Sequence, residues 1–362
     1  MSVTDAAVAA DAERLWAAVL DSDEYAATAV VLGAADRGLT PEDVLLEVIA
    51  PVQRRVGAEW AANRITVAQE HAATAINDRV IAALARHPAC TRSGGAGRVT
   101  VACVDGEWHA LPARLLAEVF ALRGWNVDFL GAQVPTPHLI AHLHQHGPDA
   151  VALSCMIPTR LPTAHAAITA CQAAGVAVLA GGAAFGADGR FARRLGADAW
   201  APDARTAAEL LHPGLRYGLR PVAVPATHQP IDDLPHLADQ EYTMVKKAGA
   251  QLIQGTVKEL EDRFPALGGY TEMQRHHTVE DIAHIVDFLT AALYVDDDAL
   301  FVEFIGWTAD ILAARSVPAT SLTPALEAMA AQLPEFPRAQ RLLTAAHTAV
   351  HSYPTTNPPL TA

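Results

Sequence analysis

Apolar residues recur at helical spacing through the first 88 positions, where Ala and Leu dominate. Asp21-Ser22-Asp23 and Gly38-Leu39-Thr40-Pro41 punctuate this stretch. Thr40 ahead of Pro41 reads as an N-cap followed by proline in the first turn. Thr66 with Gln69 three residues on reads as a capping box. Four or five helices fit this length. A linker at 89–98 follows, and then the pattern changes. Strand-like runs at Arg98–Val104, Asn126–Leu130, Ala150–Ser154 and Val176–Ala180 alternate with helical stretches at about 111–123, 137–145 and 161–173. That alternation predicts a parallel, doubly wound α/β sheet, which holds ligands at the carboxyl ends of its strands. Residues 213–240 are rich in Pro and His and read as a connector. From Glu241 to Tyr353 the helical period returns, with candidate helices at 241–264, 278–295, 298–315, 323–333 and 337–352. Thr278 with Asp281 reads as a second capping box and Thr323-Pro324 as another helix start. The Pro-rich tail after Tyr353 is expected to fray.

Composition narrows the class. The 362 residues suggest two or three domains at roughly 100–200 residues each. With 51% apolar and 18% charged residues the chain is not a disordered one. Acidic residues number 40 against 26 basic ones, a net charge of −14. That argues against a general grip on nucleic acid or on an anionic membrane, which needs clustered cations. No apolar run approaches the ~20 residues of a membrane span. Positions 1–20 hold Asp5, Asp11 and Glu13 and lack the basic start and apolar core of a secretory leader. The four cysteines (Cys90, Cys103, Cys155, Cys171) form no C-x-x-C pair, so reduced thiols in the cytoplasm are expected. The sixteen histidines are unevenly spread, and three of them (His276, His277, His284) crowd one segment.

The first predicted strand ends in Val104-Asp-Gly-Glu-Trp-His109, a polar loop where a ligand would be held. Ser154 closes the third strand, 45 residues after His109, and Gly181-Gly182 follows the fourth. Three strand ends therefore point to one crevice. The segment from about 98 to 210 resembles the cobalamin-binding domain, whose signature is Asp-x-His-x-x-Gly, Ser-x-Leu and Gly-Gly. Here it stands as Glu107-x-His109, Ser154-x-Met156 and Gly181-Gly182, with Pro112 in place of the first motif's Gly. Gly196-Ala-Asp-Ala-Trp200 is similar to the family's closing segment. The resemblance implies that His109 ligates cobalt through an imidazole nitrogen, a donor suited to such a metal. It implies that Glu107 accepts the other ring N–H, that Ser154 bonds the displaced nucleotide tail, and that Gly181 and Gly182 make room for that tail.

In the first domain, Trp60 is followed after nine residues by Glu70-His71. Beside a cobalamin domain this resembles the four-helix cap of cobalamin photoreceptors, whose Trp, Glu and His surround the upper face of adenosylcobalamin. The resemblance implies that Trp60 packs on the adenosyl group, Glu70 accepts from its ribose, and His71 lines the same cavity. Some light-dependent repressors carry a His directly after the Trp that captures cobalt after photolysis. Here that position is Ala61, so His71 or water is expected to take the vacated place. The family's DNA-binding helix-turn-helix is not expected ahead of a cap that begins near residue 10, and direct nucleic-acid binding is not expected.

The last third has no Cys and carries Gln274-Arg275-His276-His277, then His284 and Asp287. His277, His284 and Asp287 lie at separations of seven and three, which places them on one helix face. These residues read either as an amphipathic bundle with surface histidines or as the rim of a pocket for a planar, anionic tetrapyrrole. The domain order is similar to that of the photocobilins, which fuse cobalamin photochemistry to a globin-like, phycobilisome-like bilin domain. The expected architecture is thus multidomain: an all-α four-helix cap (1–90), a doubly wound α/β cobalamin-binding domain (97–212), a linker (213–240) and an all-α globin-like domain (241–353). The resemblance implies a cytoplasmic, non-enzymatic light sensor. It would bind adenosylcobalamin and non-covalent biliverdin, with Arg275 toward a propionate and His276, His277, His284 and Asp287 at the pyrrole rim. Light would act on a downstream signalling protein or on homo-oligomeric state. Two other readings compete: a corrinoid methyl carrier for a methyltransferase, and a cobalamin-dependent signalling scaffold without bilin.

Overall fold

The computed structural model describes residues 3–91, 94–211, 239–264 and 271–353. The connector expected at 213–240 lies outside them except for its last two positions, as does the tail after Tyr353. The chain divides into two compact units, Met1–His228 and Gln229–Ala362.

The first unit begins with a helical cap of α1 (Val3–Leu20), α2 (Glu24–Asp36), α3 (Pro41–Asp43), a π-helical turn (Val44–Ile49), α4 (Ala50–Ala61) and α5 (Val67–Leu84). Its punctuation acts as the spacing predicts. The Asp23 carboxylate accepts from Ala26 N at 2.9 Å, and the Thr40 hydroxyl accepts from Asp43 N at 3.1 Å. Thr66 and Gln69 close the predicted capping box. The π-helical turn links α3 to α4 without a break and has no signature in the apolar pattern.

After the cap, β1 (Gly97–Cys103), β2 (Trp125–Gly131), β3 (Ala150–Ser154), β4 (Ala177–Gly181) and β5 (Ala199–Ala201) form one parallel sheet in the order β2-β1-β3-β4-β5. The crossover helices are α6 (Ala110–Leu122), α7 (Thr136–His146) and α8 (Leu161–Ala173), with the shorter α9 (Arg190–Arg194) and α10 (Ala204–Leu210) after them. The strand β5, with three residues, and α9, with five, are too short to show a period, and the sequence reading did not separate them. Chain order reverses between β1 and β3, which is where doubly wound sheets open a crevice. Register makes that crevice level: Cys103 pairs with Ser154 and Ser154 with Gly181.

Cap and sheet share one core. Leu15, Val48 and Ile81 of the cap belong to the same buried cluster as Leu111, Val119 and Val101. Two arginines clasp the cap from the α/β side. Arg123 gives Glu42 two bonds, Nε to Oε2 at 2.8 Å and Nη2 to Oε1 at 2.9 Å. Arg205 reaches Asp43 at 2.6 Å and Glu47 at 3.2 Å.

In the second unit the described residues form α11 (Glu241–Arg263), α12 (Glu272–Val295), α13 (Asp298–Ala314), α14 (Thr323–Gln332) and α15 (Pro337–His351). One expectation is corrected. The helix expected at 278 starts at Glu272, because Thr271 and Gln274 make the capping box. Thr278 lies inside the helix, and its hydroxyl donates back to Gln274 O at 3.0 Å. A buried ion network ties the bundle's ends. The Glu241 carboxylate, 5% exposed, accepts from Arg338 N and Ala339 N at the start of α15, where a helix favours negative charge. The Arg338 guanidinium donates to Asp239 and to Leu293 O.

Burial pushes the Asp239 carboxyl up, but its bonds from Arg338 and from the Glu241 N–H outweigh that and hold it below its usual range. A carboxyl held low contributes stability that is present above its unfolded value, ~4, and is lost as pH falls through the lower folded value. Arg338→Ala is expected to cost the C-terminal unit about 1–3 kcal/mol, because it removes the charge-assisted bonds to Asp239 and leaves Leu293 O without its donor, while the backbone N–H groups of 338 and 339 still hold Glu241. Chemical denaturation followed by circular dichroism checks this, and the acid limb of the same transition is expected to move to higher pH in the variant.

Candidate cofactor site

The site is built from the loop after β1. Asp105-Gly106 turns the chain, with Gly106 at φ +76°, and brings Glu107 back under the sheet edge. The Glu107 carboxylate is 1% exposed and fully hydrogen-bonded. Its Oε1 accepts from His109 N at 2.9 Å and from His109 Nδ1 at 2.6 Å. Its Oε2 accepts from Met156 N at 2.7 Å and Ile157 N at 3.1 Å, in the loop after β3. One buried carboxylate thus ties the β1 loop to the β3 loop. Burial pushes it up, yet the His109 ring and the backbone N–H groups bring Glu107 down to about 2.

His109 stands at the N-terminus of α6 with a half-exposed ring. Because Nδ1–H is given to Glu107, the neutral ring keeps its lone pair on Nε2, which has no hydrogen-bond partner among the described residues. This is the tautomer a metal ligand needs. The Glu107 bond raises the His109 pKa; burial opposes, and the charges of Glu107 and then Glu70 add to the rise. Pro112 falls in the first turn of α6, where a missing N–H costs no helical bond.

Neither neighbouring thiol competes for a metal at neutral pH. Burial pushes Cys103 up to about 12, with the Glu107 charge adding and the Ser154 hydroxyl opposing. Burial also pushes Cys155 well up. Both stay protonated, and a thiol is a poor ligand beside an imidazole.

Ser154 is 6% exposed at the end of β3, level with Gly181. Gly182 answers a backbone constraint as well. It sits at φ +105°, and a Cβ there would lie 2.2 Å from Cys155 O. Gly182 lets the β4 loop close on the β3 loop, while a Cβ on Gly181 would meet only Ala201 O at 3.7 Å. In the next strand Trp200 packs flat against Gly189, and its buried indole N–H has no partner among the described residues. An orphaned buried donor beside three level strand ends is what an incoming polar group would satisfy. Sequence reasoning included Trp200 only as part of a closing segment.

From the cap side, Trp60 lies half-buried in the last turn of α4, and Glu70 and His71 in the first turns of α5. A five-residue loop joins the two helices, with Asn63 at φ +57°. The Glu70 side chain is 28% exposed, accepts from the Thr74 hydroxyl at 3.0 Å and lies 2.7 Å from His71 Nδ1. Its charge acts on His109, which places the cap's acid within electrostatic reach of the imidazole. The donor set suits a metal-bearing group: an imidazole with its Nε2 lone pair available, and a carboxylate from the cap whose charge reaches that ring. Sequence reasoning missed the Met156 and Ile157 N–H groups, since backbone donors leave no mark in residue type. It also missed Thr74, whose signal is a polar residue beside the buried stripe of α5.

In the second unit Arg275, His276, His277, His284 and Asp287 all lie on exposed positions of α12. His276 and His277 both approach Glu280, at 3.1 and 3.2 Å. The half-buried Phe288, one turn beyond His284, stacks on Phe304 of α13, with ring centroids 3.6 Å apart. Trp307 follows at 6.3 Å from Phe304 and is 48% exposed.

Comparison with known proteins agrees with the geometry of the first unit. Residues 97–211 match the model of the B12 binding domain, and residues 11–85 match a second B12 binding domain model. Among solved structures, the monomethylamine corrinoid protein of Methanosarcina barkeri is 18% identical, covering 56% of this chain and 97% of that one, with a TM-score of 0.49. A cobalamin-binding protein from Desulfitobacterium hafniense DCB-2 is 22% identical over 56% of this chain and 96% of its own, with a TM-score of 0.32. The methanol:cobalamin methyltransferase complex of Methanosarcina barkeri is 15% identical over 58% and 81%, with a TM-score of 0.30. No curated protein matches the chain.

Glu107→Gln is expected to lower the His109 pKa toward the ordinary ~6.5, because it removes both the charge and the ionic bond that raise it. NMR titration of the His109 ring in the cofactor-free protein reads this directly. A proton and a metal compete for Nε2, so imidazole ligation strengthens as pH rises through the His109 pKa, and that threshold is expected to move down in the variant. Loss of the carboxylate is also expected to weaken the metal bond about 10- to 100-fold.

Proposed function

Since the chain carries B12-binding domains at 11–85 and 97–211 and therefore binds a corrinoid, we propose that it is a light sensor. It holds adenosylcobalamin between the His109 loop and the Trp60–His71 corner of the cap, and it is not itself an enzyme. Glu70 carries this reading. It is a half-buried carboxylate, held by Thr74, whose charge acts on His109. An acceptor there suits an upper ligand with hydroxyl donors, such as a ribose, and does nothing for a methyl group.

When bound, adenosylcobalamin supplies a cobalt–carbon bond that green or blue light breaks. The chain's own residues do the rest. His109 would ligate the cobalt through Nε2, oriented by Glu107. Ser154 and the strand ends at Gly181 and Gly182 take the displaced nucleotide tail, with the Trp200 N–H as a further donor. Trp60 packs on the adenosyl group, Glu70 accepts from its ribose, and His71 lines the cavity. An upper ligand that leaves would take with it contacts at Trp60 and Glu70, while those at His109 would stay. That difference is what a two-state switch requires, and it is passed to a partner protein or to oligomeric state. Ala61 offers no imidazole for cobalt, so His71 or water would have to serve as the alternative ligand.

For the C-terminal unit we propose a non-covalent bilin, biliverdin by the resemblance, on the globin-like bundle. The observation favouring a planar ligand is the Phe288–Phe304–Trp307 row beside His284. Burial raises the Asp281 pKa, and the His284, His277 and Arg315 charges oppose it, which puts mixed charge along the same seam. Arg275, His276 and Asp287 lie farther along the exposed face of α12 and are candidates for the ligand's edge. The competing reading is a bundle without pigment.

Two measurements test these readings. Protein loaded with adenosylcobalamin in the dark is expected to change its visible spectrum on green illumination, and an unchanged spectrum with stable methylcobalamin loading favours the methyl-carrier reading. Addition of biliverdin is expected to produce a long-wavelength absorbance band that Trp307→Ala and His284→Ala weaken. If no band appears on a protein that still binds cobalamin, the C-terminal unit carries no bilin.

A further inference from the structure

A row of polar side chains runs through the cap where apolar packing is the rule. Asn77 is fully buried on α5, between Ile76 and Val80 in sequence. Its Nδ2–H donates to Gln53 Oε1 of α4 at 2.8 Å. Gln53 Nε2–H donates to the Thr74 hydroxyl at 2.8 Å. The Thr74 hydroxyl then gives its one proton to Glu70 Oε1 at 3.0 Å. Glu70, Thr74 and Asn77 are spaced i, i+4 and i+7, so they share a face of α5, and Gln53 bridges them from the neighbouring helix.

The row has a direction. Gln53 Oε1 is occupied as an acceptor, so its amide N–H faces Thr74. Thr74 accepts there, so its proton is left for Glu70. Every donor points toward Glu70, which is therefore required as an acceptor. The second carboxylate oxygen lies 2.7 Å from His71 Nδ1, a nitrogen that is also 2.9 Å from Val67 O. The bond from Thr74 is thus the one that fixes the carboxylate, because the single Nδ1 proton of His71 is shared between Val67 O and Glu70. A free Glu side chain loses considerable rotamer freedom when a ligand immobilises it, and pre-ordering removes that cost from binding.

We propose that Gln53, Thr74 and Asn77 are positioning residues that orient Glu70 as an acceptor, and that this row sets the preference for an upper ligand bearing hydroxyl donors over one bearing an alkyl group. The inference rests on the assignment of Glu70 to the upper pocket and adds the residues that make the acid selective. The buried Asn77 Oδ1 at the far end has no partner among the described residues. The polarity of the row therefore starts inside the cap and ends at the Glu70 carboxylate.

The test measures dissociation constants in the dark for adenosylcobalamin and methylcobalamin, together with melting temperature, on the full chain. Thr74→Val keeps shape and removes the donor. It is expected to weaken adenosylcobalamin roughly tenfold, the scale of a hydrogen bond to a charged group, and to leave methylcobalamin unchanged. Thr74→Ser is expected to restore the ratio. Glu70→Gln is the reference. If Thr74→Val weakens both corrinoids equally, or lowers the melting temperature without changing their ratio, the row only holds the cap together and the inference is overturned. If Glu70→Gln changes the ratio and Thr74→Val does not, the inference fails while the assignment of Glu70 stands. A ratio unchanged in Glu70→Gln overturns both.

Discussion

The buried carboxylate of Glu107 is the contact on which the lower half of the site depends. It takes four hydrogen bonds, two from His109 and two from the loop after β3, and it remains ionised in a place that would otherwise favour protonation. Ion and donors sustain each other. The charge is tolerable because every lone pair has a donor, and the donors are held because the charge attracts them. One carboxylate thereby fixes the distance between two loops, the tautomer of an imidazole and the direction in which its free nitrogen faces.

The upper half follows the same rule at a second acid. Glu70 is held by a hydroxyl and approached by an imidazole, and its charge acts on His109. Both acids act on His109, Glu107 through direct bonds and Glu70 through its charge. Glu107 orients the ring, and Glu70 adds its charge from the cap.

Much of this was legible in the sequence because the relevant signals are local. The capping boxes, the alternation of strand and helix, and the level ends of β1, β3 and β4 all follow from residue type at fixed spacing. The Glu107–His109 pair was legible for the same reason. The Met156 and Ile157 N–H groups were not, since any residue but proline offers that donor. The role of Gly182 was half legible: its lack of a side chain was seen, but the backbone that requires it, at Cys155, comes from a distant stretch of chain. The start of α12 was misplaced because Thr278–Asp281 and Thr271–Gln274 both satisfy the capping pattern, and the earlier one forms. Five chemically suggestive residues on α12 proved to be exposed, which spacing on one helix face could not reveal, because a period gives a face without saying what covers it.

The common core of cap and sheet bears on modularity. Because α6 contributes to the same buried cluster as the cap helices, and because Arg123 and Arg205 hold α3 and the π-helical turn from the α/β side, no clean seam runs between the two. The family matches fall into two segments of sequence, but the piece that could be transplanted between scaffolds is the whole of the first unit. A cap grafted alone would carry its acids and aromatic residue with it and leave behind the surface that keeps them facing the imidazole.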